Sequence, residues 1–64
     1  MKVKYDREVD ILYIRLTDLP IEESDEDRPG MIIDYDVEGM IVGLEIMNAS
    51  KRMAQPNLVE LEIA

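Results

Sequence analysis

The chain has 64 residues, no cysteine, no histidine and a net charge of −8. That length fits a single domain spanning residues 1–64, too small to bury a large core unaided, so a staple or a partner chain is expected. Disulfides and thiolate or imidazole metal sites are excluded by composition, and the acidity disfavours nucleic acid and anionic membranes.

The first segment, KVKY, alternates Lys2 and Lys4 with Val3 and Tyr5, the period-two pattern of a strand with one wet face. After the short polar break DREVD comes ILYIRL, rich in β-branched and aromatic residues. The two runs predict a hairpin with Leu12, Ile14 and Leu16 on one face and Ile11, Tyr13 and Arg15 on the other. The opening residues are charged and the longest apolar run, MIVGL, is short, so neither a signal peptide nor a membrane span is expected. A cytoplasmic protein is the natural expectation.

From Asp18 to Gly30 the sequence is acidic and broken by Pro20, Pro29 and Gly30. This reads as a connecting loop, with a possible extended stretch over Ile21 to Ser24 along a sheet edge. Its charge suits a basic protein partner.

MIIDYD and MIVGLEIM follow, joined through Val37-Glu38-Gly39. A type I turn closed by a bulge, with Gly39 at positive φ, joins them as a hairpin. Regular pairing from that turn places Asp36 opposite Met40, Asp34 opposite Val42 and Ile32 opposite Leu44. Asp34 and Glu45 then fall on opposite faces, and both faces are largely apolar. A sheet apolar on both sides needs a second cover, and the expected one is a second copy of the chain. NASKRMAQP predicts a short helix capped by Asn48 or Ser50 and stopped by Pro56. NLVELEI, within residues 57–63, alternates and reads as a final strand or a helical extension. The expected fold is mainly β: an antiparallel meander of four to five strands with one short helix after the central hairpin.

Asp34, Asp36, Glu38, Gly39 and Glu45 occupy positions one, three, five, six and twelve of an EF-hand loop. An EF-hand loop lies between helices, whereas this segment lies between strand-like runs, so the turn reading wins. What remains is a weak carboxylate cation-binding module. Asp34 and Asp36 would stand roughly 7 Å apart on one strand face, a spacing known from acid–base pairs, but so small a sheet has no cleft to hold a substrate. Thr17, Ser24 and Ser50 are the only aliphatic hydroxyls, and no histidine is present to activate them. No enzyme activity, no cofactor and no metal are expected. Asp34 on an apolar face requires a partner, sought among backbone N–H groups, Lys51, Arg52 and the tyrosine hydroxyls. Candidate binding residues are Asp34, Asp36, Tyr13, Tyr35 and Glu45.

The motifs YDREVDILYIRL and PGMIIDYDVEGMIVGLEIMNASKRM resemble the prokaryotic family known as domain of unknown function 2283. Tyr5, Asp6, Asp10, Leu12, Tyr13, Ile14, Asp34, Tyr35, Asp36, Gly39, Gly43, Glu45, Ile46, Ala49 and Ser50 fill the family pattern, which covers about residues 3–53 and leaves 54–64 as a variable C-terminal strand or extension. The resemblance implies a compact β-rich fold and no established activity. It also implies an antitoxin-like role as partner of a small basic protein, since some relatives are encoded beside candidate toxins. The leading expectation is a non-catalytic homodimeric protein-binding module.

Overall fold

The computed structural model describes all of residues 1–64. Five strands form one antiparallel sheet: β1 (Lys2–Asp6), β2 (Ile11–Arg15), β3 (Glu23–Arg28), β4 (Met31–Tyr35) and β5 (Ile41–Met47), followed by a single helical turn, α1 (Ala49–Arg52). The mainly β class agrees with the sequence pattern. The strand order is β1-β2-β5-β4-β3, not that of a simple meander. The hairpin β1–β2 docks its second strand on β5, which already ends the meander β3-β4-β5.

The β1–β2 hairpin pairs as the alternation predicts, with Val3 opposite Ile14 and Tyr5 opposite Leu12. Its connection contains Asp10 at φ 55, a left-handed conformation that a short polar side chain tolerates. The β4–β5 turn also forms as expected. Gly39 N–H donates to the Asp36 carbonyl at 3.0 Å, and Asp36 N–H donates to the Met40 carbonyl at 2.9 Å. Gly39 takes φ 82, the conformation such a turn requires.

Three expectations are corrected. First, the acidic segment is not only a loop: Glu23–Arg28 pairs with β4 as an edge strand, all six residues exposed. The charges that made it look like a connection are those a sheet edge uses against further pairing. Secondly, residues 53–64 contain neither a helix nor a strand. Leu58, Val59, Leu61 and Ile63 are 56, 58, 77 and 88% exposed, and their alternation joins no sheet within the chain. Thirdly, α1 ends at Arg52, before Pro56 can act, and Asn48 stands at its N-cap position without a side-chain cap bond.

The sheet has two distinct faces. On one, the rows Val3–Ile14–Leu44–Ile33 and Tyr5–Leu12–Ile46–Met31 run across four strands. On the other lie Lys2, Arg15, Gly43, Asp34 and Ser24 in one row, and Lys4, Tyr13, Glu45 and Ile32 in the next. Every substantial packing contact between elements runs between neighbouring strands, and the molecule measures 34 × 31 × 19 Å. Leu12, Val42 and Ala49 are the only buried apolar side chains, a core too small to be the main support of the fold.

Candidate functional site

The polar face is organised by one extra residue. Tyr35 pairs with Ile41, but Asp34 pairs with Gly43, so Val42 forms a bulge. The bulge shifts the pairing by one residue, and a one-residue shift moves every later side chain to the other face. Regular pairing of Asp34 with Val42 and Ile32 with Leu44 is therefore corrected: Ile32 faces Glu45, and Ile33 faces Leu44. Asp34 and Glu45, expected on opposite faces, share one. Val42 goes to the apolar side, where it is 1% exposed.

Asp34 is the one buried charged residue, 3% exposed. Its partner is not a lysine, arginine or tyrosine. The hydroxyl of Ser24, directly opposite on β3, donates to Asp34 Oδ1 at 2.5 Å. Glu45 supplies the second contact through a carboxyl–carboxyl hydrogen bond. Burial, then the bond to Asp34 and the repulsion between the two charges, pushes the Glu45 carboxyl above its ordinary value. Glu45 therefore holds its proton more tightly than a free carboxyl group does.

Gly43 makes the arrangement possible. A Cβ there would stand 3.2 Å from Asp34 Oδ2, 3.2 Å from the Ile14 carbonyl and 3.4 Å from Arg15 Cδ. Arg15 lies across Gly43 while its guanidinium donates to the Leu19 carbonyl at 2.8 Å. Beyond it the face becomes cationic and aromatic: the Lys4 ammonium sits 5.8 Å from the centre of the Tyr13 ring. Lys2, Lys4, Tyr13 and Arg15 line an open depression.

The predicted residues therefore divide. Asp34 and Glu45 are bonded, and Tyr13 stands directly across β2–β5 from Glu45. Asp36 belongs to the turn, where its carboxylate accepts from the backbone N–H groups of Glu38 and Met40, each at 2.9 Å. Tyr35 donates to Asp27 Oδ2 at 3.1 Å, and that bond raises its phenol above the usual range. No group of three or more acidic side chains converges to hold a metal ion. The twelve-residue spacing from Asp34 to Glu45 produces a two-carboxyl contact, and its flanks are strands.

A second cluster was not among the candidates. Asp10 accepts from the Tyr5 hydroxyl at 2.7 Å, the Ser50 N–H at 3.0 Å and the Ser50 hydroxyl at 2.7 Å, while its carbonyl accepts from Ala49 N–H at 3.0 Å. Asp10, forty residues away, thus caps α1 in place of Asn48. Ser50, then Tyr5, holds the Asp10 carboxyl below its ordinary value, and Asp10 in turn raises the Tyr5 phenol. Asp10 and Ser50 both fill the resembled family pattern, which was the available signal. Ser24 carries no comparable mark.

The family model described as "Protein of unknown function (DUF2283)" matches residues 2–50, which takes in all five strands and the start of α1. No curated protein and no solved structure matches the chain. No helix is long and apolar enough to cross a membrane.

Proposed function

Since the chain belongs to the DUF2283 family of proteins of unknown function, we propose that it is a non-catalytic, homodimeric protein-binding domain whose apolar sheet face meets a second copy. The observation that carries this reading is the face itself. Val3, Ile14, Leu44, Ile33, Tyr5, Ile46 and Met31 lie side by side on one sheet, yet of that face only Leu12 and Val42 are buried. A second sheet packed on this face would supply the core that one copy lacks.

The polar face supports a non-catalytic role. Its central carboxyl pair is bonded internally, by Ser24 to Asp34 and by Asp34 to Glu45, and serves as the sheet's own polar network. Size exclusion with light scattering tests the dimer. The expected mass is twice 7.4 kDa; a stable monomer at low micromolar concentration would sink the reading.

A second reading concerns the partner. β3 is an edge strand with the sequence ESDEDR, fully exposed, and Glu22 precedes it. This favours an antitoxin-like grip on a small basic protein, since unpaired strand groups and carboxylates would engage together. Affinity purification from the source cells should then recover a basic protein in stoichiometric amount, with capture weakened by salt. Recovery that ignores ionic strength would count against it.

A further inference from the structure

The segment Leu58–Ile63 is an apolar alternating stretch with no partner, and β1 is a sheet edge with no partner. We propose that Leu58–Ile63 of one copy pairs as a sixth strand on the β1 edge of a second copy. This inference rests on the dimer reading above and deepens it by naming a segment and the edge it joins.

The two sequences match position by position. On β1, Lys2 and Lys4 point to the polar face, and Val3 and Tyr5 to the apolar face. In the segment, Glu60 and Glu62 alternate with Val59, Leu61 and Ile63. Pairing with the glutamates on the polar face sets them beside Lys2 and Lys4. The same pairing sets Val59, Leu61 and Ile63 beside Val3 and Tyr5, so one register satisfies both faces. It also extends the apolar face that the second copy is proposed to cover.

Charge chooses between the two edges. The opposite edge, β3, presents Glu23, Asp25, Glu26 and Asp27, and would repel a segment carrying two glutamates. β1 presents Lys2, Val3 and Lys4, all exposed.

The course of the chain chooses between its own edge and another copy's. α1 starts against Asp10 in the β1–β2 turn, and Arg52 at its end donates to the Pro29 carbonyl in the β3–β4 turn, so the helix leads away from β1. Beyond it the chain makes a turn, with Leu58 N–H donating to the Gln55 carbonyl at 3.1 Å, and Leu58–Ile63 form no strand although their own β1 edge is open.

The chain has no cysteine, so introduced thiols report the contact directly. Full-length Lys4→Cys is mixed with full-length Glu62→Cys, and in parallel with Glu60→Cys, under mild oxidation. A disulfide needs Cβ atoms about 4 Å apart, so a dimer linking one chain of each kind, formed in preference to like-with-like links, is the supporting result. Reversing Lys2→Glu and Lys4→Glu should weaken self-association about tenfold, and adding Glu60→Lys and Glu62→Lys should restore it. A dimeric protein with neither cross-link nor charge dependence would overturn the strand pairing and leave the face-to-face dimer standing. A Lys4→Cys/Glu62→Cys chain that closes only on itself would overturn the second copy as the source. A monomeric unaltered chain would overturn both readings together.

Discussion

Asp34 on β4 and Glu45 on β5 share a hydrogen bond because Val42 puts one extra residue into the strand between them. Without that bulge the pair would straddle the sheet.

This relationship sets the pH dependence of stability. Glu45 titrates above the unfolded value of 4.5, so the folded chain binds this proton more tightly than the unfolded one. The resulting stability is fully present below the unfolded value and is lost as pH rises through the folded value. Glu45→Gln keeps a donor to Asp34 and removes the second charge. The variant should melt higher than the unaltered chain at neutral pH, with the gain shrinking as pH falls below 4.5. Melting curves across that range check it; two parallel pH profiles would contradict a raised Glu45 carboxyl.

The bulge also marks how far the sequence could be read. The hairpins, the Gly39 turn and the mainly β class follow from alternation and turn chemistry, which are local. The faces of β4 and β5 beyond Val42 do not, because MIVGLEIM is apolar almost throughout and nothing in it announces an inserted residue. Asp34 was legible as a carboxylate needing a partner. The partner, Ser24, lies in the acidic stretch whose charge masked a strand. The tail shows the converse case: NLVELEI has a strand's pattern, but a strand needs a neighbour as well as a pattern.

Gly43 tests close packing beneath Asp34. The Ile14 carbonyl that a Cβ would meet at 3.2 Å is backbone and cannot swing away. Gly43→Ala should cost about 1–3 kcal/mol, lowering Tm by roughly 4–8 °C for each kcal/mol in a domain of this size. Gly39→Ala meets open space but keeps a φ of 82, so its cost, about 1–2 kcal/mol, is conformational alone. Combined with Asp34→Ala, the Gly43 penalty should shrink while that of Gly39 is unchanged. Equal penalties in both backgrounds would argue against crowding at Asp34.

Asp10 joins the β1–β2 turn to α1, and its carboxyl is held below the ordinary 3.8 by Ser50 and Tyr5. A depressed carboxylate contributes stability above its unfolded value, and that contribution is lost as pH falls through the folded one. Asp10→Asn should therefore lower Tm at neutral pH, and the difference should close in acid. Amide exchange at Ser50 should accelerate with it, since its N–H bonds the Asp10 carboxylate, whereas the Ala49 N–H bonds the Asp10 backbone carbonyl. Unchanged protection at Ser50 would remove the Asp10 carboxylate as the cap.

Tyr5 supplies the alkaline counterpart of the same contact. Its hydroxyl donates to the Asp10 carboxylate, and ionising the phenol would replace a hydrogen bond with two facing anions. The phenol is raised above 10.0, so this stability is present below that value and is lost as pH climbs through the folded one. In the Asp10→Asn variant the anion is gone, and Tyr5 should titrate at lower pH than in the unaltered chain. Tyr35 serves as the internal control, because its own raised phenol depends on Asp27 in β3 and should not move. Ring resonances of the two tyrosines, followed through alkaline pH, separate the effects. A Tyr5 midpoint unmoved by Asp10→Asn would mean that Asp10 is not what holds its proton.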